Sequence, residues 1–444
     1  MTMEKQDIRS VLDALPEDEI VRLTAEKEDY LLTAVVEELE RRRRFPVVEL
    51  RGPESGRRTV ANLFADRARL GRAISNVLKV EEKARALAGP EWVENAPVYA
   101  RCDTGDKVNA EELPLSRHYR EDAGRYITSG IVVARDPDTG RYNLSFHRMQ
   151  LKGRDTFGIS LHSRGDLWRY WNRSRELGKD LEIAVVIGVH PAYYLTAGTR
   201  IAPDFDDYDY AAAYLDEKVK LTRCRTVDLA VPAHAEYVLE GVIRAEEFGD
   251  EGPFGEYTGY GTSRSTRNVF HVTAIARRED PIYLELVPGF SMEHLLLSQY
   301  TREIILLDQA RRSFPGVRKL NLPKNGCHFH AYVSIKDPQP GEARQLAMLL
   351  FGLDRYLKLV VVVDEDIDVF DEEAVLWACA TRMQADRDVY IVPGVICNAL
   401  DPSSKDGVAA KMCIDATRPA GFDGRRITLP EESRWRAAEL LGDI

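Results

Sequence analysis

The 444-residue sequence predicts a multidomain protein of mixed α/β and α+β class. Three observations predict it. A chain of this length exceeds what one hydrophobic core supports and divides into two or three domains. Its hydrophobic pattern changes from helical at the start to strand-like alternation after about residue 125. Beyond about residue 290 a long helical pattern leads into regular βα alternation, the mark of a sheet covered by helices. The chain divides accordingly into an N-terminal α/β unit over 1–114, a barrel-like β unit over 115–288, a connector helix over 289–318 and a C-terminal α/β unit over 319–444.

Residues 6–43 read as helical, with Ile8, Val11, Leu12, Leu31, Leu32, Val35, Val36 and Leu39 apolar and charges between them. The arginines at 41–44 form the solvated end of that helix, where cations suit the dipole. Pro46 stops it, Val47-Val48-Glu49-Leu50 is a short strand, and 62–80 is helical again. Residues 89–124 are rich in Pro, Gly and charge and read as a linker with little structure of its own. Strands follow at 131–134 and 141–149, joined by the turn Asp136-Pro137-Asp138-Thr139-Gly140. Further strands lie at 182–189, 220–224, 235–243, 268–276 and 282–286, with helices only at 167–177 and 207–214, hence a barrel-like unit. The connector helix covers 291–313. After it, 327–333 is a strand, 342–356 a helix, 358–363 a nearly continuous apolar strand of a buried sheet, and 372–380 a helix.

Composition narrows the function. A net charge of −11 argues against a nucleic-acid or anionic-membrane partner. No apolar run reaches the ~18 residues of a membrane helix, and the polar start lacks a secretory apolar region. The six cysteines are scattered with no CxxC pair, which fits a reduced, cytoplasmic protein and argues against a thiolate zinc site.

The stretch with the most chemistry is Glu251-Gly252-Pro253-Phe254-Gly255-Glu256. Pro253 fixes one φ while Gly252 and Gly255 permit angles that other residues avoid, so a tight irregular loop carries two carboxylates. That suits proton transfer; an acidic surface turn has the same composition. Asn143 and Arg148 share one predicted strand at opposite parity, so lining one site together requires a bulge or a strand end. Arg148 offers a planar fork for a carboxylate, or pairs with an acid across the sheet. Asp204, Asp206, Asp207 and Asp209 could hold a hard cation or could simply suit a helix N-terminus. Ser160-Leu161-His162-Ser163-Arg164-Gly165-Asp166 runs from a strand into a helix start, where amides and Arg164 could bind phosphate. His294 and Arg302, eight residues apart on the long helix, share a face and could grip an anion, or cap a helix and sit on its surface. Cys327-His328-x-His330 resembles a metal tract in composition only.

In sum these segments resemble the UbiD family of reversible decarboxylases, which use prenylated FMN. The resemblance rests on Asn62-Leu63-Phe64, on Gly130-Ile131-Val132-Val133-Ala134-Arg135-Asp136-Pro137-Asp138-Thr139-Gly140, on Asn143-xxxx-Arg148-Met149-Gln150, on Val231-Pro232-Ala233 with Glu240-Gly241, and above all on the 251–256 stretch. Val363-Asp364-Glu365-Asp366-Ile367-Asp368, Thr381-Arg382-Met383 and Ile414-Asp415-Ala416-Thr417 extend it toward the C-terminus. It implies a split barrel that binds the flavin and a C-terminal α/β domain that makes a homo-oligomer, dimer or hexamer. It implies an Arg148–Glu251–Glu256 set, with Glu256 the proton donor and Arg148 holding the substrate carboxylate. Phe146, His147, Arg148, Ile159, Ser160, Leu161, Arg164 and Gly165 match cofactor-contacting stretches. A divalent ion, usually Mn²⁺, with K⁺ nearby, would take Asn143 and Asp207; some members supply a histidine where this chain has Gly165. A flavin prenyltransferase would supply the cofactor. The His294…Arg302 pair resembles the furan-2,5-dicarboxylate decarboxylase branch, one carboxylate leaving near Arg148 and the other held by this pair. Pyrrole-2-carboxylate, a hydroxybenzoate, a catalytically idle flavin-binding subunit and a metal-dependent hydrolase are the competing readings.

Overall fold

The computed structural model describes residues 6–74, 77–161, 165–405, 407–424 and 426–441. The first sheet has four strands in the order Ile20–Thr24, Val47–Arg51, Arg58–Ala61 and Ile282–Leu284. The expected single helix over 6–43 is broken into Ile8–Asp13, the strand Ile20–Thr24 and Leu31–Arg41. Pro16 and the acidic turn Glu17–Glu19 end the first piece, and Ile20 and Leu23 pair in parallel with Val47 and Leu50. The second expected helix starts later, at Arg67–Ala73, because Asn62 adopts a left-handed φ of 61° and Asp66 caps the helix by accepting from Arg69 N–H at 2.7 Å. Ile282–Leu284, expected among the barrel strands, instead pairs in parallel with Arg58–Val60 and so ties the end of the β region back to the N-terminal sheet.

The central sheet has nine strands. Its path runs Tyr126–Ile127, Met149–Gly153, Thr156–Ile159, Asn268–Arg277, Tyr237–Phe248, Leu181–Ile187, Ile131–Arg135, Tyr142–Phe146, and Arg101–Thr104 pairs additionally with Asn268–Arg277. The one strand expected over 141–149 is two, Tyr142–Phe146 and Met149–Gly153, and these lie near opposite ends of the path. Only His147 and Arg148 join them, so the sheet must curl until its two ends nearly meet. The result is a curled, split barrel with Arg148 in the split. Residues 89–124 are also better ordered than a linker: Arg101–Thr104 lines up against Ala274–Arg277, and Glu91–Trp92 pairs with Lys220–Leu221.

The long helix Met292–Ser313 begins at Ser291, whose Oγ accepts from His294 N–H at 3.1 Å. The C-terminal sheet follows in the order Val317–Asn321, His330–Ile335, Leu359–Asp364, Val408–Ala416, Val389–Ile396. The helices Glu342–Leu353 and Glu372–Arg382 pack into two separate apolar clusters built on this sheet. The strand expected from Cys327 starts at His330 instead, because Cys327 and His328 take left-handed φ of 46° and 68°. Among the described residues no helix is long and apolar enough to cross a membrane.

Candidate active site

The split barrel turns a parity problem into a site. Arg148 leaves the strand end rather than a strand face, and its guanidinium meets the 251–256 loop. Nε and Nη2 donate to the two carboxylate oxygens of Glu251 at 2.9 and 3.1 Å, and Nη1 donates to Glu256 Oε1 at 2.7 Å. Nη2 also donates to the Arg264 carbonyl at 2.9 Å, and the Phe254 ring lies 5.0 Å from Cζ. The side chains are 10 %, 0 % and 14 % exposed for Arg148, Glu251 and Glu256, so water screens these contacts little. Burial pushes the Glu256 carboxyl above its usual value; Arg148 pulls the other way and Glu251 adds to the push.

The loop's backbone is held from several sides. Gly252 N–H donates to Gln150 Oε1 at 3.2 Å, and Glu256 N–H to the Tyr260 carbonyl at 3.0 Å. Gly252 has φ 89° and precedes a cis Pro253, a conformation that glycine adopts without strain. Gly255 N–H donates to Asp122 Oδ1 at 2.8 Å. Sequence reasoning missed Asp122 and Tyr119 because they sit in the segment read as a linker, and it missed the buried Tyr126 just beyond that segment, whose hydroxyl donates to the Pro253 carbonyl at 3.3 Å.

The other expected site residues fall into three places. Phe146 ends the strand on one side of the split and His147 follows it; Ile159 pairs with Met149, which starts the strand on the other side, and Ser160 and Leu161 come next in the chain. His147 Nδ1 donates to the Ser160 carbonyl at 3.1 Å, its Nε2 lies 3.2 Å from Ser145 Oγ, and Leu161 N–H donates to Thr266 Oγ1 at 2.6 Å. Gly165 is the N-cap of the helix Asp166–Glu176, while Arg164 lies outside the described residues. Asn143 is buried on the edge strand, and the start of the helix Asp207–Leu215 covers that edge. Asp206 accepts from Tyr142 N–H at 2.8 Å and Asp207 from Leu144 N–H at 2.7 Å, so these acids complete an otherwise open strand edge. Burial holds Asp206 up to about 6 and Asp207 well above the ordinary range. Asp204, by contrast, pairs with Arg85 on the surface. Among the described residues no group of three or more His, Cys, Asp or Glu side chains could hold a metal.

His294 and Arg302 do not stand free on one helix face. His294 Nδ1 lies 3.1 Å from the Gly289 carbonyl, which can only accept, so Nδ1 carries the hydrogen; burial lowers its pKa to about 4. Arg302 is salt-bridged to Asp354 from the C-terminal unit, and its Nη1 donates to His328 Nδ1 at 3.1 Å. Tyr257 joins the two: its ring centroid lies 6.0 Å from that of His294 and 4.6 Å from that of His328. Tyr257, which packs against the two histidines, is the residue that follows Glu256, and His328, which the pattern placed in a strand, and Asp354 are thus part of this cluster. Their left-handed turn and helix-end positions left no signal in the sequence.

Comparison with known proteins agrees with this architecture. Residues 91–291 match the 3-octaprenyl-4-hydroxybenzoate carboxy-lyase Rift-related domain, and 296–416 match the C-terminal domain of the same carboxy-lyases. The anhydromevalonate phosphate decarboxylase of Methanothermobacter thermautotrophicus is 39% identical over 315 residues, 70% of this chain and 74% of that one. Its counterpart in Methanocaldococcus jannaschii is 37% identical, covering 70% and 73%. The structure of the UbiD-class enzyme HmfF from Pelotomaculum thermopropionicum in complex with FMN superposes with a TM-score of 0.89 at 37% identity, over 98% of this chain and 99% of that one. The chain belongs to the UbiD family of carboxy-lyases, and it is an enzyme of that class.

Proposed function

We propose that this decarboxylase uses prenylated FMN to remove CO₂ from a conjugated carboxylic acid that carries a second anionic group, with furan-2,5-dicarboxylate, giving 2-furoate, as the first candidate. The observation that carries the reading is one buried guanidinium, that of Arg148, shared by Glu251 and Glu256. The flavin is supported by HmfF having been solved with FMN, and in an evolved dimeric form with prFMN. The residues here fit such a group. Phe146–Arg148 and Ile159–Leu161 flank the split, and the helix Asp166–Glu176 starts at Gly165 with no side-chain cap, leaving amides for a phosphate. Asn143 and Asp207 offer oxygen donors suited to a hard cation such as Mn²⁺, and the buried Asp207 carboxyl would gain from one. Mn²⁺ at these two residues, with K⁺ nearby, is part of the proposal.

When bound, the prenylated flavin supplies the electron sink for the carbon that loses CO₂. The chain positions the acid and delivers the proton. Four of Arg148's five N–H groups are taken, by Glu251, Glu256 and the Arg264 carbonyl. A substrate carboxylate therefore docks at Nη1, where it competes with Glu256. Glu256, inclined by burial and by Glu251 to hold a proton, gives way as the neutral acid and turns toward the carbon. Glu251 stays bidentate on Arg148 and keeps the fork aimed.

The second anion would enter beside His294 and Arg302. Arg302 must share itself with Asp354, and His294 must take up a proton on Nε2 to donate. A second reading, anhydromevalonate phosphate, is favoured by the names of the two relatives at 39% and 37% identity; it too pairs a carboxylate with another anionic group. Homo-oligomerisation through the C-terminal unit is supported by the open edge strand Val389–Ile396, with Ile391 60% exposed, and by the helix Glu431–Leu441, which is exposed throughout with Trp435 at 74%.

The test is co-expression with a flavin prenyltransferase, followed by CO₂ release from a panel of furan-2,5-dicarboxylate, anhydromevalonate phosphate, pyrrole-2-carboxylate and a hydroxybenzoate. A flavin-like absorbance band with CO₂ from a two-anion acid is expected. A band without turnover of any acid means an idle flavin-binding subunit, and no band overturns the cofactor assignment.

A further inference from the structure

We propose that Asp122 is a positioning residue for Glu256, holding the proton donor in register from outside the barrel; the inference rests on the function proposed above. Asp122 is completely buried, and among the described residues its carboxylate makes no salt bridge; the one guanidinium beside it, that of Arg117, donates to the Asp122 backbone carbonyl at 2.8 Å. Its carboxylate is a three-point acceptor instead. Oδ2 takes the N–H groups of His118 and Tyr119 at 3.1 and 2.8 Å, which folds its own segment into a tight turn. Oδ1 takes Gly255 N–H at 2.8 Å, one peptide from Glu256. The next residue repeats the grip: Ala123 N–H donates to the Pro253 carbonyl at 2.8 Å. Residues 122 and 123 thus hold the loop on both sides of Phe254, as a short strand would.

Tyr119 fixes the same loop sterically. A Cβ on Gly255 would come within 2.6 Å of the Tyr119 ring, and one on Gly289 within 2.6 Å of its hydroxyl, which donates to the Pro288 carbonyl at 3.0 Å. The turn at 118–123 therefore sets the distance between the loop that carries Glu256 and the loop that launches the helix bearing His294. Among the described residues, the hydrogen bonds and ion pairs of Arg148 go to Glu251, Glu256 and the Arg264 carbonyl and not to Asp122 or Tyr119, so an effect on the reaction passes through the position of residue 256.

The test is Asp122→Asn in the flavin-loaded enzyme. The amide keeps the shape but has one acceptor oxygen, so it sets an N–H either against Gly255 or against His118 and Tyr119. The kcat should fall by about a hundredfold, the cost of a misplaced catalytic group, with KM and flavin content within about twofold of the parent. The alkaline limb of the kcat/KM profile, which reports the free enzyme in which Arg148 holds Glu256, should move to higher pH, since a loosened Glu256 loses that pull. Hydrogen exchange at the Gly255 amide should quicken. Gly255→Ala, which pushes the loop off Tyr119 and leaves Asp122 intact, should show the same signature and decides the matter if Asp122→Asn does not fold. A variant as active as the parent, or a loss with an unmoved limb and unchanged Gly255 exchange, overturns the proposal. A parent that decarboxylates nothing overturns the proposed function instead.

Discussion

Replacing Arg148 by methionine, close in shape but uncharged, leaves two buried carboxyl groups beside each other with nothing between them. The magnitude follows from the geometry. Three charge-assisted contacts of 2.7–3.1 Å are lost, and the acids that made them are 0 % and 14 % exposed. Removing one partner of a buried ion pair costs about 3–5 kcal/mol. For a cooperative unit of roughly 200 residues that is a fall in melting temperature of about 6–20 °C. The loss has a pH signature. In the parent, burial already raises Glu256 and Arg148 opposes it; without the guanidinium the folded-state pKa rises further above the unfolded one. A carboxyl with a raised folded pKa binds its proton more tightly when folded. Its penalty is absent below the unfolded value of 4.5 and grows as pH climbs from there to the folded value. Arg148→Met should therefore melt near the parent at about pH 4 and furthest below it at about pH 8. Converting Glu251 and Glu256 to glutamine in the same background should recover most of the difference. Scanning calorimetry at both pH values reads the effect, and a loss of equal size at the two, or none at the higher, would refute the account of a shared guanidinium.

The remaining predictions concern turnover. Glu256→Gln should lower kcat by about 10²–10⁴, the range for a lost general acid, while flavin content stays near the parent's; a variant that loses flavin rather than turnover contradicts the donor role. His294→Ala and Arg302→Ala should impair an acid with two anionic groups more than a monoacid, measured as kcat/KM on the pair. Equal losses on both would remove the second-anion argument, and Arg302→Ala should in addition lower thermal stability by stranding Asp354.

Much of the architecture was legible because it is written in local pattern. The apolar strand Leu359–Asp364, the helices near 342–353 and 372–382 and the long helix Met292–Ser313 all lie close to where the apolar pattern puts them. The errors share a cause. Ile20–Thr24 carries too few residues to outweigh the helical pattern on either side, and it becomes a strand only because Val47–Arg51 pairs with it. Residues 89–124 have a loop's composition, yet Arg101–Thr104 finds an edge on Asn268–Arg277, and Asp122 finds the Gly255 amide. His294 and Arg302 were correctly spaced for one face, but spacing carries no information on Gly289, His328 and Asp354, which engage them.

The amino-acid order alone determined the chemistry available: two acids on a loop made irregular by glycine and proline, an arginine at a strand, and a family resemblance strong enough to name a reaction. The tertiary structure alone decided their meeting. Because Tyr142–Phe146 and Met149–Gly153 lie near opposite ends of one curled sheet, the two residues between them must span the split, and that closure turns Arg148 toward carboxylates more than a hundred positions away. Pairing between distant strands is a property of the whole sheet, and no local pattern of residues encodes it.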